Sequence, residues 1–215
     1  MTNRNARPRL PTSRHRQFTL VVAGLLVATS CTSRQASAEE LDRIVEILQV
    51  QPGSVVADVG AGEGEWAVEL AKRVGAAGHV WATEVDKHDV ESLEERILDG
   101  SQNNVTVVLG DQSETGLPAE CCDAILLRMV YHHFINPARM RASLRQALRP
   151  GGLIAIIDIT PQSAWRDLPD VPERGGHGIE RADLIREMTS AGFTVVLDED
   201  DWNGDDDRYC VVFRR

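Results

Sequence analysis

The chain has 215 residues, 42% of them hydrophobic and 26% charged, with a formal net charge of −10. This length and mix fit a globular chain of about one domain with room for a full core, and exclude a repeat array or a coiled coil. Without the five arginines of the first thirty residues the net charge falls to −15, which argues against a nucleic-acid substrate, because phosphate contacts need clustered Lys and Arg.

The chain opens on Arg4, Arg7, Arg9, Arg14 and Arg16 with no acid among the first thirty residues. Phe18 to Thr29 follows without a charge, and then come Ser30 and Cys31. A basic start, a short apolar run and small residues read as a secretory signal, and the run is short for a membrane span. Ala28-Thr29-Ser30-Cys31 resembles a bacterial lipoprotein cleavage box, with Ala28 where leucine is more usual. His15 separates Arg14 from Arg16, so the twin-arginine pattern is absent. Three expectations follow: a cell-envelope lipoprotein anchored through a lipidated Cys31, an uncleaved signal or anchor, or a start codon placed too early, with a cytoplasmic enzyme beginning near Ala38. In each case residues 1–38 are leader and linker, and 39–215 form the domain.

Glu39 to Val50 has apolar residues at helical spacing, namely Leu41, Ile44, Val45, Ile47, Leu48 and Val50, and predicts an amphipathic helix before the first strand, placed to cover a ligand. Val55-Val56-Ala57-Asp58-Val59 then predicts a buried strand. It runs into Gly60-Ala61-Gly62-Glu63-Gly64, with glycines at alternate positions, and Glu65 to Arg73 has helical spacing. A strand, a tight glycine loop and a helix form the place where open α/β folds take nucleotide-like ligands. The dinucleotide pattern G-x-G-x-x-G would need its third glycine at Glu65, so a nicotinamide oxidoreductase is disfavoured. No Tyr-x-x-x-Lys of such an enzyme is recognisable either.

Gly78 to Asp86 predicts the second strand, with Glu84 twenty positions after Gly64. An acid at that distance suits a ribose diol, which gives two hydrogen bonds to one carboxylate; Asp86 is a rival for the role. Val105 to Leu109 is the third predicted strand, with Gly110, Asp111 and Gln112 in its exit loop, and Cys122 to Arg128 is the fourth. Pro150-Gly151-Gly152 separates a helix from the fifth strand, and Ala191-Gly192-Phe193 ends a helix before the sixth. Tyr209 to Arg214 is the seventh. The acids Asp198 to Asp201 and Asp205 to Asp207 flank a turn between the last two strands, and read as a solvated hairpin because they lack calcium-loop spacing. Cys121, Cys122 and Cys210 match no zinc-site spacing and read as small hydrophobes, so no metal site is expected from sequence.

Asp58-Val59-Gly60-Ala61-Gly62-Glu63-Gly64 resembles the first motif of the class I S-adenosylmethionine-dependent methyltransferases, and the later segments follow in that family's order from about Glu39 onward. The resemblance implies an α/β doubly wound, seven-stranded, mostly parallel sheet (a Rossmann-like methyltransferase fold) with an antiparallel last strand, the fourth strand lying beside the first. It implies S-adenosylmethionine as the cofactor, held by Asp58, Gly60, Ala61, Gly62, Gly64, Glu84, Asp111, Gln112 and Arg128, with Asp111 at the adenine amino group. The acceptor expected is a small molecule. Residues after the fourth strand face the acceptor in that family, which makes Tyr131, His132 and His133 the catalytic candidates. A histidine titrates in the range needed to take a proton from a hydroxyl or amine. His177 lies in a long connection punctuated by Pro161, Pro169 and Pro172, and is a further candidate in a loop able to act as a lid. The competing function is a non-catalytic envelope module that keeps the fold as a ligand-binding or interaction surface.

Overall fold

The Val-rich segment forms β1 (Val55–Val59), buried at four of its five positions. Burial on both faces is what a central parallel strand requires. The computed structural model describes residues 38–162, 171–174 and 176–215; the leader and Cys31 lie outside them, as does Pro169 of the long connection. The other strands are β2 (His79–Glu84), β3 (Val105–Leu109), β4 (Cys122–Arg128), β5 (Leu148–Ile159), β6 (Thr194–Glu199) and β7 (Arg208–Arg214). They form one sheet in the order β3-β2-β1-β4-β5-β7-β6. β7 runs antiparallel to both β5 and β6, and the remaining pairs are parallel. The fold class, the antiparallel last strand and the pairing of β4 with β1 are those expected. The chain winds outward in one direction from β1 and in the other from β4, so a crevice opens between their carboxyl ends, where open α/β sheets take ligands.

Alternation along the strands feeds two cores. Val56, Val80, Leu126 and Ala155 face one side, under α1 (residues 38–47), α2 (Glu65–Val74) and α3 (Lys87–Asp99). Ala57, Val59, Ile125, Leu127, Ile154 and Ile156 face the other, under α4 (Pro137–Ala147) and α5 (Arg181–Ser190). Each fully buried Leu or Ile contributes about 1.5–3 kcal/mol relative to exposure. α1 spends its apolar stripe, including Leu41, Ile44 and Leu48, on the first core.

Two details depart from the sequence reading. β5 begins at Leu148, ahead of Pro150-Gly151-Gly152, because Leu148 already pairs with Cys122 and the irregular residues are absorbed as a register shift between Cys122 and Ala124. The acidic turn before β7 is also more than a solvated loop. Trp202 within it is fully buried, and its indole Nε1 donates to Glu40 Oε1 at 2.9 Å. Cys122 and Cys210 are buried and Cys121 half-buried, all three free, in line with their reading as small hydrophobes. Among the described residues no helix is long and apolar enough to cross a membrane.

Candidate functional site

The carboxyl ends of β1, β2 and β3 open on a cavity of about 460 Å³ whose lining includes Gly60, Glu84, Asp111, Gln112, Met129 and His133. The turn after β1 is shaped for close approach. Gly62 is left-handed at φ 54°, and a Cβ there would meet nothing within 4 Å. Gly64 is left-handed at φ 80°, but a Cβ there would come within 2.3 Å of Leu93 Cδ1. Gly62 therefore keeps space open, whereas Gly64 lets α3 pack against the loop. Gly64 also stands as the N-cap of α2 with no side-chain cap.

Glu84 ties the loop to β2. Its Oε1 accepts from Gly62 N at 2.7 Å, and its Oε2 accepts from Val85 N at 3.0 Å. A carboxylate offers about four lone-pair directions, so both oxygens keep capacity for a diol. Asp86, the rival acid, caps α3, accepting from His88 N at 2.7 Å, and does not line the cavity. Asp111 Oδ1 accepts from Ser113 N and Glu114 N, which holds the exit loop of β3 in a turn at the cavity wall.

Asp58 is buried at the end of β1, and its Oδ2 has no partner among the described residues. Burial, followed by the charge of Glu84, pushes its carboxyl up to about 7, with Arg128 and a backbone hydrogen bond from Ala67 working the other way. A buried carboxylate oxygen without a donor is costly, and a cationic or N–H-bearing ligand relieves it. The open space at Gly62, the diol-competent Glu84 and the unsatisfied Asp58 together fit S-adenosylmethionine, which carries an amino-acid end and a ribose. Arg128 is engaged elsewhere. Its Nε and Nη2 donate to Glu40 at 3.2 and 3.1 Å, and its guanidinium lies 4.8 Å over the Trp66 ring. It does not line the cavity, and neither does α1, which was expected to cover it. Asp58, Ala61, Gly62 and Gly64, of β1 and the loop after it, do not line the cavity either.

The carboxyl ends of β4 and β5 carry the histidines. After β4, Met129 takes a left-handed φ of 60° and turns the chain into a short 3-10 helix, Tyr131–His133. That helix turns Tyr131 away from its two histidines, which stay together. His132 points over β5, where its Nδ1 lies 2.5 Å from Asp158 Oδ1 and its backbone N donates to Asp158 Oδ2 at 3.2 Å. With Nδ1–H donating to the carboxylate, Nε2 of His132 carries the lone pair. That Nε2 lies 3.0 Å from Nε2 of His177. The rings of His132 and His133 meet edge to face at 4.2 Å, and those of His133 and His177 at 5.3 Å. Burial first, then His132 and His177, pushes His133 down to about 4, against the pull of Asp158. Burial first, then His132, also holds His177 below its usual range. His132 and His177 line a second cavity of about 250 Å³, together with Arg174 and Val171, and Val171 also borders the first cavity.

Tyr131 corrects the sequence reading. It is fully buried on the far side of the 3-10 helix, where its hydroxyl donates to Glu187 Oε2 at 2.8 Å and accepts from Arg141 Nη1 at 3.0 Å. Its phenol is raised by burial first and by Glu187 next. Glu187 in turn accepts from Arg174 Nη1 at 2.8 Å, so Tyr131 belongs to an ion-paired network under α5 and lines neither cavity. Asp158 is the residue that sequence reading missed. The available signal was an acid inside the apolar run Leu153 to Ile159, at the carboxyl end of a predicted strand.

A family model described as a methyltransferase domain matches residues 33–198. By sequence, a demethylmenaquinone methyltransferase of Listeria monocytogenes serotype 4a (strain HCC23) is 24% identical over 126 residues, or 58% of this chain and 53% of that protein. A ubiquinone/menaquinone biosynthesis C-methyltransferase of Bordetella avium (strain 197N) is 26% identical over 111 residues, or 52% of this chain and 43% of that protein. The chain thus spans about half the length of the curated relatives it matches. Among solved structures, a SAM-dependent methyltransferase from Aquifex aeolicus is similar in fold, with a TM-score of 0.69 at 21% identity, over 81% of this chain and 88% of that one.

Proposed function

The chain belongs to the methyltransferase-domain family, and from that premise we propose that it transfers a methyl group from S-adenosylmethionine to a small-molecule acceptor. The observation that carries the proposal is the loop at Gly62, open above and tied to Glu84 below, beside an unsatisfied Asp58. Relatives named for quinone methylation support a small acceptor over a macromolecule. The acidic balance supports it too.

S-adenosylmethionine supplies a methyl group already activated on a sulfonium, so the chain's work is alignment, exclusion of water and care of the acceptor's proton. Gly60, Gly62 and Glu84 position the donor at the β1–β2 end. Val171 and Met129 wall the cavity, and the histidines stand at the β4–β5 end, where the acceptor would enter. Asp158 sets His132 in one tautomer, and the paired imidazoles of His132 and His177 stand at the second cavity, where they can orient or deprotonate the acceptor. The buried carboxylate–imidazole pair at the second cavity favours an enzyme over a non-catalytic binding module.

The test is release of S-adenosylhomocysteine on incubation with a panel of small acceptors. Turnover should fall about 10²–10⁴-fold in His132→Ala, with cofactor affinity nearly unchanged. Equal turnover in the wild type and in the His132→Ala, His177→Ala double variant would make the histidines bystanders.

A further inference from the structure

His132, His133 and His177 each present a ring nitrogen, and these atoms all lie within 4.8 Å of one another. We propose that the three histidines bind one divalent transition-metal ion of the zinc class, leaving a coordination position open to the acceptor. The proposal of an acceptor there rests on the methyl-transfer reading; the metal site itself does not.

The geometry carries it. Ligand nitrogens 2.0–2.1 Å from a tetrahedral zinc are about 3.3–3.4 Å apart, and the Nε2 atoms of His132 and His177 are 3.0 Å apart. A simple hydrogen bond between these two rings would need no third imidazole, yet His133 presents a ring nitrogen within 4.8 Å of theirs, in ring contact with both. Asp158 stands behind the cluster rather than in it, accepting from Nδ1 of His132. Carboxylates hold metal-binding imidazoles in this way, fixing the tautomer that leaves Nε2 for the ion. Asp158 is itself fixed by accepting from Ile159 N at 2.8 Å.

His177 is held in place as well. Its carbonyl accepts from Gln162 N at 2.9 Å, and Ile179 N donates to Ile159 O at 3.0 Å, so the short segment is pinned to the end of β5. Gly178, at φ 131°, lets the segment lie close against β5, because a Cβ there would come within 2.7 Å of Thr160 O. Imidazole donors suit zinc, copper, nickel and iron rather than magnesium or calcium. Three histidines with the fourth position open is a catalytic rather than a structural arrangement.

His133 borders the larger cavity, and His132 and His177 border the smaller, so the open position lies where donor and acceptor meet. That favours an acceptor with a hydroxyl or enol oxygen. On the ion its O–H bond breaks and the proton passes to water. The oxygen then forms the O–CH₃ bond, the C–S bond breaks with its electron pair staying on sulfur, and the sulfonium becomes a thioether. The ion acts as a Lewis acid that makes the oxygen a nucleophile at neutral pH.

The test uses the untagged full-length chain, stripped with chelator and dialysed against zinc, with metal content and calorimetry read together. The expected result is about one equivalent bound, lost in His133→Ala and in His177→Ala, and weakened about 10–100-fold in Asp158→Asn. Cobalt substitution should give the visible bands of an imidazole site without thiolate charge transfer. Metal content far below one equivalent, zinc binding unchanged in both histidine variants, or a thiolate cobalt spectrum would overturn the site. Should His132→Ala fail to fold, the two less buried histidines still decide the question. S-adenosylhomocysteine affinity is measured on the same samples. Its loss alone would sink the methyl-transfer reading and leave the metal site standing.

Discussion

At the β1–β2 end of the sheet, Gly62, Gly64 and Glu84 come from one strand–loop–helix–strand unit, and Glu84 reaches back across it to Gly62 N. At the β4–β5 end, His132 comes from the connection after β4, Asp158 from β5 itself and His177 from the connection after β5, and they meet only because β4 and β5 are paired. The first region is a local backbone device whose key residue has no side chain. The second is a tertiary cluster whose every member is a side chain. They should respond differently to substitution: the first through ligand binding and backbone geometry, the second through chemistry with binding left alone.

The largest effect separates two glycines two positions apart. Gly62→Val fills the open space and should abolish binding of S-adenosylmethionine and S-adenosylhomocysteine, while a folded chain survives the cost of a left-handed valine, about 1–2 kcal/mol. Gly64→Ala instead drives a Cβ into Leu93 and should cost about 1–3 kcal/mol of stability, read as a lower denaturation midpoint. If both variants lose stability alike and bind alike, the loop is scaffold only.

A pH effect comes next. The carboxyl of Asp58 is raised from 3.8 to about 7 in the folded chain, so the folded state holds its proton more tightly than the unfolded state. Its stabilising contribution is full below the unfolded value and is lost as pH rises through the folded one. The ligand-free protein should therefore lose stability between about pH 4 and pH 7 on account of this group, and Asp58→Asn should flatten that part of the profile. Cofactor binding should tighten as pH rises through the same range if the ligand's ammonium faces the carboxylate. A profile identical in Asp58→Asn would remove Asp58 from the account.

The smallest effect tests the boundary of the acceptor region. Tyr131→Phe removes a hydroxyl bonded to Glu187 and Arg141, so it should lower stability by about 1 kcal/mol and leave turnover unchanged. A large loss of turnover at unchanged stability would return Tyr131 to the acceptor side.

The same contrast explains what could be read from sequence. The sheet was legible because most strands are short apolar runs rich in Val, Ile or Leu, and because the glycine loop and Glu84 keep a fixed spacing. Asp86 competed with Glu84 on spacing alone; only the structure separates them, with Glu84 at the cavity and Asp86 capping α3. Tyr131 was misplaced because the 3-10 helix turns it toward Glu187, away from the two histidines that follow it, which no periodicity announces. Asp158 and the convergence of His177 with His132 depend on strand pairing and on a loop folded back over β5, so no window of sequence contains them. Glu40, read as part of an amphipathic helix, proves to be a buried partner of both Arg128 and Trp202.

Titration calorimetry of S-adenosylhomocysteine into the full chain, with a nicotinamide dinucleotide in parallel, tests the central claim most directly. Saturable heat with the sulfur ligand, weakened by about 1–3 kcal/mol in Glu84→Ala and far exceeding any heat from the dinucleotide, is the expected result. No heat from S-adenosylhomocysteine or S-adenosylmethionine at millimolar concentration would contradict it.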